Sequence, residues 1–200
     1  TAIPVREEEP GEGMMKAVLF TGPGRLSNLV VGNIDMPAVK PDEVLVRVKA
    51  AGVNFSDVLT VLGNYPNALS TYPYILGNEV AGIVEKVGEK VKRFRPGQKV
   101  IGLTSGIGGF AEYVCVKEAT TWHKPDYLSY EQAAALPIVF LTAHHALNYL
   151  GRLAAGETVL VRGASGGVGL MAVQLAKAAK ALVIGAAGSD DKVGYLKSIG

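Results

Sequence analysis

The fold is decided by the stretch TVLVRGASGGVG, which runs from Thr158 to Gly169. Its β-branched residues predict a strand, its glycines predict a tight turn, and the residues that follow favour a helix. Gly166 and Gly169 leave room for a pyrophosphate, at which the first N–H groups of the helix would point. The stretch therefore predicts a dinucleotide site. The residues expected to form it are Ala164, Ser165, Gly166, Gly167, Val168 and Gly169.

The sequence after this turn continues the same pattern. We expect the helix to run to about Ala179, a second apolar strand at Ala181 to Gly185, and a further helix at Asp190 to Ile199. This context matters, because a glycine-rich turn alone also serves ordinary loop geometry. The order strand, helix, strand, helix predicts an α/β protein that contains the start of a Rossmann fold, with a doubly wound parallel sheet.

The end of the second predicted strand indicates which dinucleotide would bind. An NAD site is expected to carry an acidic residue about 20 residues after the glycines, but Ala186 and Ala187 stand there. We therefore predict NADPH as the cofactor. An alternative is that Lys192 is a solvated helix lysine that balances Asp190 and Asp191. The residues expected near an adenosine 2′-phosphate are Gly188, Ser189 and Lys192.

Composition favours a protein that acts on small molecules. The 200 residues are 48% hydrophobic with a formal charge of +2, and the basic residues are scattered, which argues against a nucleic-acid face or a membrane-binding patch. The sequence contains no run of 18 apolar residues, so it predicts no membrane-spanning helix. The single cysteine, Cys115, excludes an internal disulfide and favours a reducing compartment. We expect the cytosol and leave the mitochondrion open, because position 1 is not methionine.

The first half of the chain reads as a β-rich domain, in which turn residues separate short apolar runs. A short helix is expected at Ser56 to Leu62, and a capping box of Ser129 and Gln132 starts a helix that Pro137 separates from another reaching about Leu150. We predict a flexible leader at 1–14, a β-rich domain at 15–125 and a nucleotide-binding domain at 126–200. The predicted strands are Lys16–Phe20, Glu43–Ala50, Glu79–Val87, Lys99–Leu103 and Phe110–Val116.

Several ordered motifs carry a family resemblance that covers Met15 to the end of the chain. Together with GASGGVG, they make the chain resemble the medium-chain dehydrogenase/reductase superfamily. The resemblance implies a GroES-like domain followed by a Rossmann domain. The motifs are AGVNFSD at 51–57, GNYP at 63–66, PYILGNEVAG at 73–82, PGQKV at 96–100, AAALP at 133–137 and LTA at 141–143.

The zinc ligands of the alcohol dehydrogenases in that superfamily are missing. Those enzymes would place a cysteine, a histidine and a further ligand at positions where this chain has Asn54, Asn78 and Ile138. Zinc in proteins is bound by thiolate, imidazole or carboxylate groups. A structural zinc lobe would need four cysteines, and only Cys115 is present. We predict no metal.

Without zinc, the pattern resembles the quinone oxidoreductase branch, which is related to ζ-crystallin and to the two-enoyl thioester reductases. The resemblance implies hydride transfer from NADPH to a quinone or to an α,β-unsaturated carbonyl compound, and a homodimer in the full-length protein. An enoyl thioester is the alternative substrate. Residues that match motif positions bordering the nicotinamide and the substrate are Asn54, Phe55, Asp57, Tyr65 and Thr142.

Two residues are candidates for the chemistry. The developing oxyanion needs a hydrogen-bond donor in place of zinc. We predict that Tyr65 donates to this oxygen and that Asn54 orients the cofactor or the substrate carbonyl. The alternatives are that Tyr65 fixes the Tyr-Pro loop, that Asn54 caps a helix, and that Asp57 places charge in the first helical turn.

Two other classes of protein compete with this interpretation. The residues from Gly163 to Gly167 also match the Gly-x-Ser-x-Gly elbow of serine hydrolases, but no histidine follows His145 to complete a triad in that order. A non-enzymatic, NADPH-binding structural protein is the other alternative.

Since proteins of this family continue beyond the second Rossmann strand, we expect the chain to be a truncated part of a longer protein, with an unpaired sheet edge.

Overall fold

The computed structural model describes Gly11, residues 13–66 and residues 68–199. They form two compact units, one that ends at Pro137 and one that begins at Ile138. The predicted leader at 1–14 lies mostly outside the described residues, and its last residue, Met14, already belongs to the first strand. The strands are β1 Met14–Phe20, β2 Leu29–Asp35, β3 Glu43–Gly52, β4 Tyr74–Ile75, β5 Glu79–Val87, β6 Lys99–Leu103, β7 Tyr113–Lys117, β8 Thr121–His123, β9 Thr158–Arg162 and β10 Leu182–Ala186.

The helices are shorter and lie between these strands. Short 3₁₀ turns cover Leu26–Asn28 and Glu118–Thr120, and a π-helical turn at His145–Leu150 continues the third α-helix. None of the helices in the described residues is long and apolar enough to cross a membrane. The α-helices are α1 Phe55–Val61, α2 Tyr130–Ala134, α3 Pro137–His144, α4 Gly167–Ala178 and α5 Asp190–Ser198.

Two antiparallel sheets build the first unit. The larger has the strand order β7-β3-β5-β6-β8, and the smaller has the order β2-β1-β4. Valines dominate the core of the larger sheet, because β-branched side chains pack well on a pleated surface. Its fully buried members include Val44, Val46, Val80 and Val100, which surround Phe94. This β-rich, GroES-like architecture is the predicted one.

The structure adds strands that the sequence did not predict. β2 carries Gly32 and Asn33, which lower its strand signal, and it lies at the edge of the smaller sheet. β4 has two residues and β8 has three, too few for alternation to be visible in the sequence. The first unit also extends past the predicted boundary at residue 125, because Ala133 and Ala134 of α2 pack against Ala81 and Ile101.

The second unit has the predicted order of strand, helix, strand and helix. β9 and β10 pair in parallel, from Thr158 opposite Leu182 to Arg162 opposite Ala186. The helix α4 covers one face of this pair, where Val173 packs with Val161. Because the strands are parallel, the turns that follow them lie at the same edge of the sheet. This edge is where open α/β sheets bind ligands.

Candidate functional site

The turn between β9 and α4 is closed by its own backbone. Gly163 has a positive φ of 65°, a conformation that favours glycine. The Gly166 N–H group donates to the Gly163 carbonyl at 2.9 Å, and Gly166 is the N-cap residue of α4. The first N–H groups of α4 therefore remain available at the end of this turn, as an anion site requires.

Glycine leaves space for close contacts at two further positions of the turn. A Cβ atom on Gly169 would overlap the Gly163 carbonyl oxygen and would lie 2.7 Å from the Ala164 Cα atom. A Cβ atom on Gly167 would lie 2.9 Å from Cγ1 of Val139. Without a side chain at Gly169 the helix can start close to the strand, and without one at Gly167 it packs against Val139 of α3. The residues present therefore fit the pyrophosphate of a dinucleotide.

A backbone hydrogen bond joins the glycine turn after β9 to the end of β10. The Ala164 N–H group donates to the Ala186 carbonyl at 3.0 Å. The segment with Gly188 and Ser189 follows Ala186 directly, so it lies at the same sheet edge as the glycine turn. Ser189 is the N-cap residue of α5 and its side chain makes no capping hydrogen bond. Lys192, in the first turn of α5, is exposed.

Other predicted residues lie on helices. Thr142 is an exposed residue of α3, and Phe55, the first residue of α1, is 73% exposed. His144 stacks on Phe140, and His145 stacks on Tyr149.

In the first unit, Asn54 has the capping role that competes with a catalytic one. It is the N-cap residue of α1 and forms a capping box with Asp57, in which the Asn54 N–H group donates to Asp57 Oδ2 at 2.8 Å. Its side-chain Nδ2 donates to Oε1 of the buried Glu79 at 2.7 Å. The Asn54 side chain is therefore held between a helix start and a buried carboxylate.

Asp57 is buried and joins a second asparagine to this network. Asn78 Nδ2 donates to Asp57 Oδ1 at 3.2 Å. Burial raises the pKa of the Asp57 carboxyl above its ordinary value of 3.8, while backbone hydrogen bonds from Asn54 and Gly77 oppose the shift. Asp57 lies in the first turn of α1, where the sequence places it, and its side chain also reaches the connection between β4 and β5.

The raised pKa of Asp57 has a measurable consequence for stability. A carboxyl group whose pKa is raised in the folded state stabilises the fold at low pH and loses that contribution as the pH rises through the folded pKa. We expect the unfolding free energy of the wild type to fall, relative to Asp57→Asn, as the pH rises above 3.8. Urea unfolding at a series of pH values measures the difference, and parallel curves for the two proteins would contradict it.

A cavity of about 260 Å³ lies beside Asp57, and we call it the Tyr65 cavity. Tyr65 lines it and is 37% exposed, whereas Asn54 is not among its lining residues. Sequence reasoning missed Asn78 and Ser105 as members of a site, since they come from segments whose contact depends on strand pairing. The polar lining residues are Ser56, Asp57, Thr60, Tyr65, Tyr74, Asn78 and Ser105.

A metal centre has no ligand set in the described part of the chain. No group of three or more His, Cys, Asp or Glu residues there could hold a metal ion. Cys115 is half-buried, and burial raises the pKa of its thiol to about 11, so it is a thiol and not a thiolate at neutral pH.

The serine-elbow alternative lacks its backbone geometry. A nucleophile elbow holds its serine in a strained turn. Among the described residues, the only non-glycine residues with positive φ are Arg152 and Lys180. Ser165 therefore lies in an unstrained turn.

Comparison with known proteins agrees with this architecture. Residues 40–126 match the alcohol dehydrogenase GroES-like domain. The chain is 39% identical to the quinone oxidoreductase of Rattus norvegicus over 184 residues, which are 90% of this chain and 55% of that protein. It therefore spans about half the length of this curated relative.

Solved structures show the same likeness. The quinone oxidoreductase of Pseudomonas syringae pv. Tomato DC3000 matches with a TM-score of 0.85 and 37% identity, over 93% of this chain and 57% of that one. The CurK enoyl reductase matches with a TM-score of 0.85 and 32% identity, over 94% and 58%. The class of protein is defined by a GroES-like domain followed in sequence by an α/β unit with a glycine-rich turn after its first strand. The chain belongs to the medium-chain dehydrogenase/reductase superfamily, in the branch of the quinone oxidoreductases and enoyl reductases.

Proposed function

We propose that the protein containing this chain is a zinc-independent reductase that transfers hydride from NADPH to a quinone or an α,β-unsaturated carbonyl compound. The observation that carries the proposal is the turn from Gly163 to Gly169, where a Cβ atom on Gly169 would overlap the Gly163 carbonyl oxygen. Glycine there lets α4 begin directly beside β9, the arrangement in which the first N–H groups of a helix hold a pyrophosphate. The relatives named quinone oxidoreductase support the substrate class.

The Tyr65 cavity supplies the groups for the other half of the reaction. When bound, NADPH provides the hydride. In the proposed role, the Tyr65 hydroxyl donates a hydrogen bond, and then a proton, to the substrate oxygen that gains charge. A quinone that takes up one hydride becomes a monoanionic hydroquinone, and the single proton from Tyr65 completes the neutral hydroquinone. A proton from solvent then restores the Tyr65 hydroxyl. In the proposal, Asn54 orients the cofactor or the substrate carbonyl indirectly, because it caps the helix α1.

The preference for NADPH rests on the end of β10 and the segment that follows it. It offers Ser189 and Lys192 and has alanines at 186 and 187, where an acidic residue would favour NADH. Asp190 and Asp191 stand in the same helical turn as Lys192 and oppose a phosphate. The preference for NADPH over NADH therefore depends most on the positive charge of Lys192.

The test is a fluorescence titration of the chain with NADPH and with NADH. We expect NADPH to bind at least tenfold more tightly, and Lys192→Ala to remove most of this preference, because one charge-assisted contact to a phosphate contributes about that much. Lys197→Ala is the matched control, since Lys197 is an exposed lysine in the last turn of the same helix. Equal binding of NADPH and NADH by the wild type would contradict the NADPH assignment.

An enoyl thioester reductase is the second candidate, and the match to the CurK enoyl reductase favours it. Rates of NADPH oxidation with a quinone, a simple enone and an enoyl thioester of N-acetylcysteamine distinguish the three substrate classes. A homodimer of the whole protein and a cytosolic location remain predictions.

A further inference from the structure

The side-chain amide of Asn78 is held in one orientation. Its Nδ2 donates to Asp57 Oδ1 at 3.2 Å and approaches Ser56 Oγ at 3.5 Å. The other oxygen of Asp57, Oδ2, accepts a hydrogen bond from the Asn54 N–H group at 2.8 Å. Both carboxyl oxygens of Asp57 therefore act as acceptors, and the NH₂ group of Asn78 faces Asp57. The amide oxygen Oδ1 therefore faces the other way.

The Asn78 amide oxygen lies next to a loop that lines the Tyr65 cavity. A Cβ atom on Gly106 would lie 3.9 Å from Asn78 Oδ1, and Gly106 leaves that space open. The loop is anchored to the strand connection, because the Thr104 N–H group donates to the Asn78 carbonyl at 3.0 Å and Thr104 Oγ1 donates to the Gly77 carbonyl at 2.9 Å. Asn78 and Gly106 both line the cavity.

The amide oxygen differs in chemistry from the hydroxyl groups around it. Tyr65 and Ser105 line the same cavity, and their hydroxyls either donate or accept a hydrogen bond. Asn78 Oδ1 only accepts. A ligand hydroxyl satisfies it, whereas a ligand carbonyl would place two acceptors against each other. Asn78 thus responds to whether the ligand oxygen carries a proton.

We propose that Asn78 is a specificity-determining residue of the Tyr65 cavity, which accepts a hydrogen bond from a ligand hydroxyl and so makes the cavity bind a hydroquinone more tightly than its quinone. Asp57 acts as the positioning residue that holds the amide in this orientation. The inference rests on the proposed function for the class of ligand, but not on hydride transfer or on the cofactor.

The test is a titration of the ¹⁵N-labelled chain with tetramethylhydroquinone and with tetramethyl-1,4-benzoquinone, without oxygen and without NADPH. The fully substituted ring prevents addition of the Cys115 thiol. We expect the hydroquinone to bind about fivefold more tightly, the change that one hydrogen bond supports. We also expect it to shift the signals of the Asn78 side-chain amide and the Gly106 backbone amide.

Two variants and one further ligand complete the experiment. Asn78→Leu keeps a similar side-chain volume without the acceptor and should bind both compounds equally. Asn148→Leu, the same substitution at an exposed residue of the second unit, should keep the preference. The dimethyl ether of the hydroquinone has the same ring without O–H donors and should bind the wild type as weakly as the quinone. This last comparison holds even where Asn78→Leu does not fold.

The result separates the inference from the proposed function. No binding of the hydroquinone, equal affinity for the two compounds, or a preference that survives in a folded Asn78→Leu overturns the inference. NADPH-dependent reduction without the binding preference would leave the proposed function standing alone. The binding preference without NADPH-dependent reduction would support the inference about Asn78 and contradict the proposed function.

Discussion

Gly169→Ala is expected to destabilise the second unit by about 3 kcal/mol, although alanine favours a helix interior over glycine by about 1 kcal/mol. The new Cβ atom would overlap the Gly163 carbonyl oxygen and would lie within 3 Å of the Ala164 backbone. Each of these atoms belongs to the turn itself, so none of them moves aside as a flexible side chain would. The turn has to open, and α4 loses its start beside β9.

Hydrogen exchange is the measurement that locates this effect. Amides of α4 should lose protection, while amides of β3 and β5 in the first unit should keep theirs. NADPH binding should weaken by more than tenfold, because the N-terminal N–H groups of α4 would no longer hold the pyrophosphate. Gly194→Ala is the matched control. Gly194 lies in α5 with open space around its Cα, so alanine should stabilise that helix by 0.5–1 kcal/mol, roughly. A Gly169→Ala protein as stable as the wild type would show that the helix does not start as close to the strand as described.

Tyr65→Phe is expected to lower kcat for quinone reduction about a hundredfold, with little change in the affinity for NADPH. The substitution removes the hydroxyl and keeps the ring, so the wall of the Tyr65 cavity is preserved. General acid catalysis by a positioned side chain contributes about 10² to 10⁴ in rate. Steady-state rates at saturating NADPH measure the loss.

The control for this variant is Tyr127→Phe, because Tyr127 is 85% exposed and does not line the cavity. It should leave the rate unchanged. Turnover by Tyr65→Phe equal to that of the wild type would exclude Tyr65 as the proton donor. In that case the alternative prediction, that Tyr65 fixes the Tyr-Pro loop, would predict a loss of stability instead.

Local patterns predicted most of the second unit. Strand, turn and helix follow each other within the stretch from Thr158 to Ala178, and each is signalled by residues next to each other in sequence. The turn also depends on contacts over six residues or fewer, such as Gly166 to Gly163 and Gly169 to Gly163. The strands β2, β4 and β8 escaped prediction because short or edge strands carry little alternation of their own.

The environment of Asn54 could not be predicted in the same way. Its partner Glu79 lies 25 residues away, and the two meet because β3 and β5 pair with Gly52 opposite Glu79. A Cβ atom on Gly52 would overlap Glu79 Oε1, so a glycine is needed there for the carboxylate to reach Asn54. The sequence pattern around Asn54 is compatible both with a helix cap and with a catalytic group.

The sequence by itself determined the class of the protein, the glycine turn and the choice of cofactor to test, because these depend on neighbouring residues and on residue types. Only the tertiary structure decided that Asn78, Asp57 and the loop at 105–107 share one cavity with Tyr65. The physical reason is strand register. The pairing of β5 with β3 and β6 brings residues 54–57, 78 and 104 to the same end of the sheet, and no local pattern records that pairing.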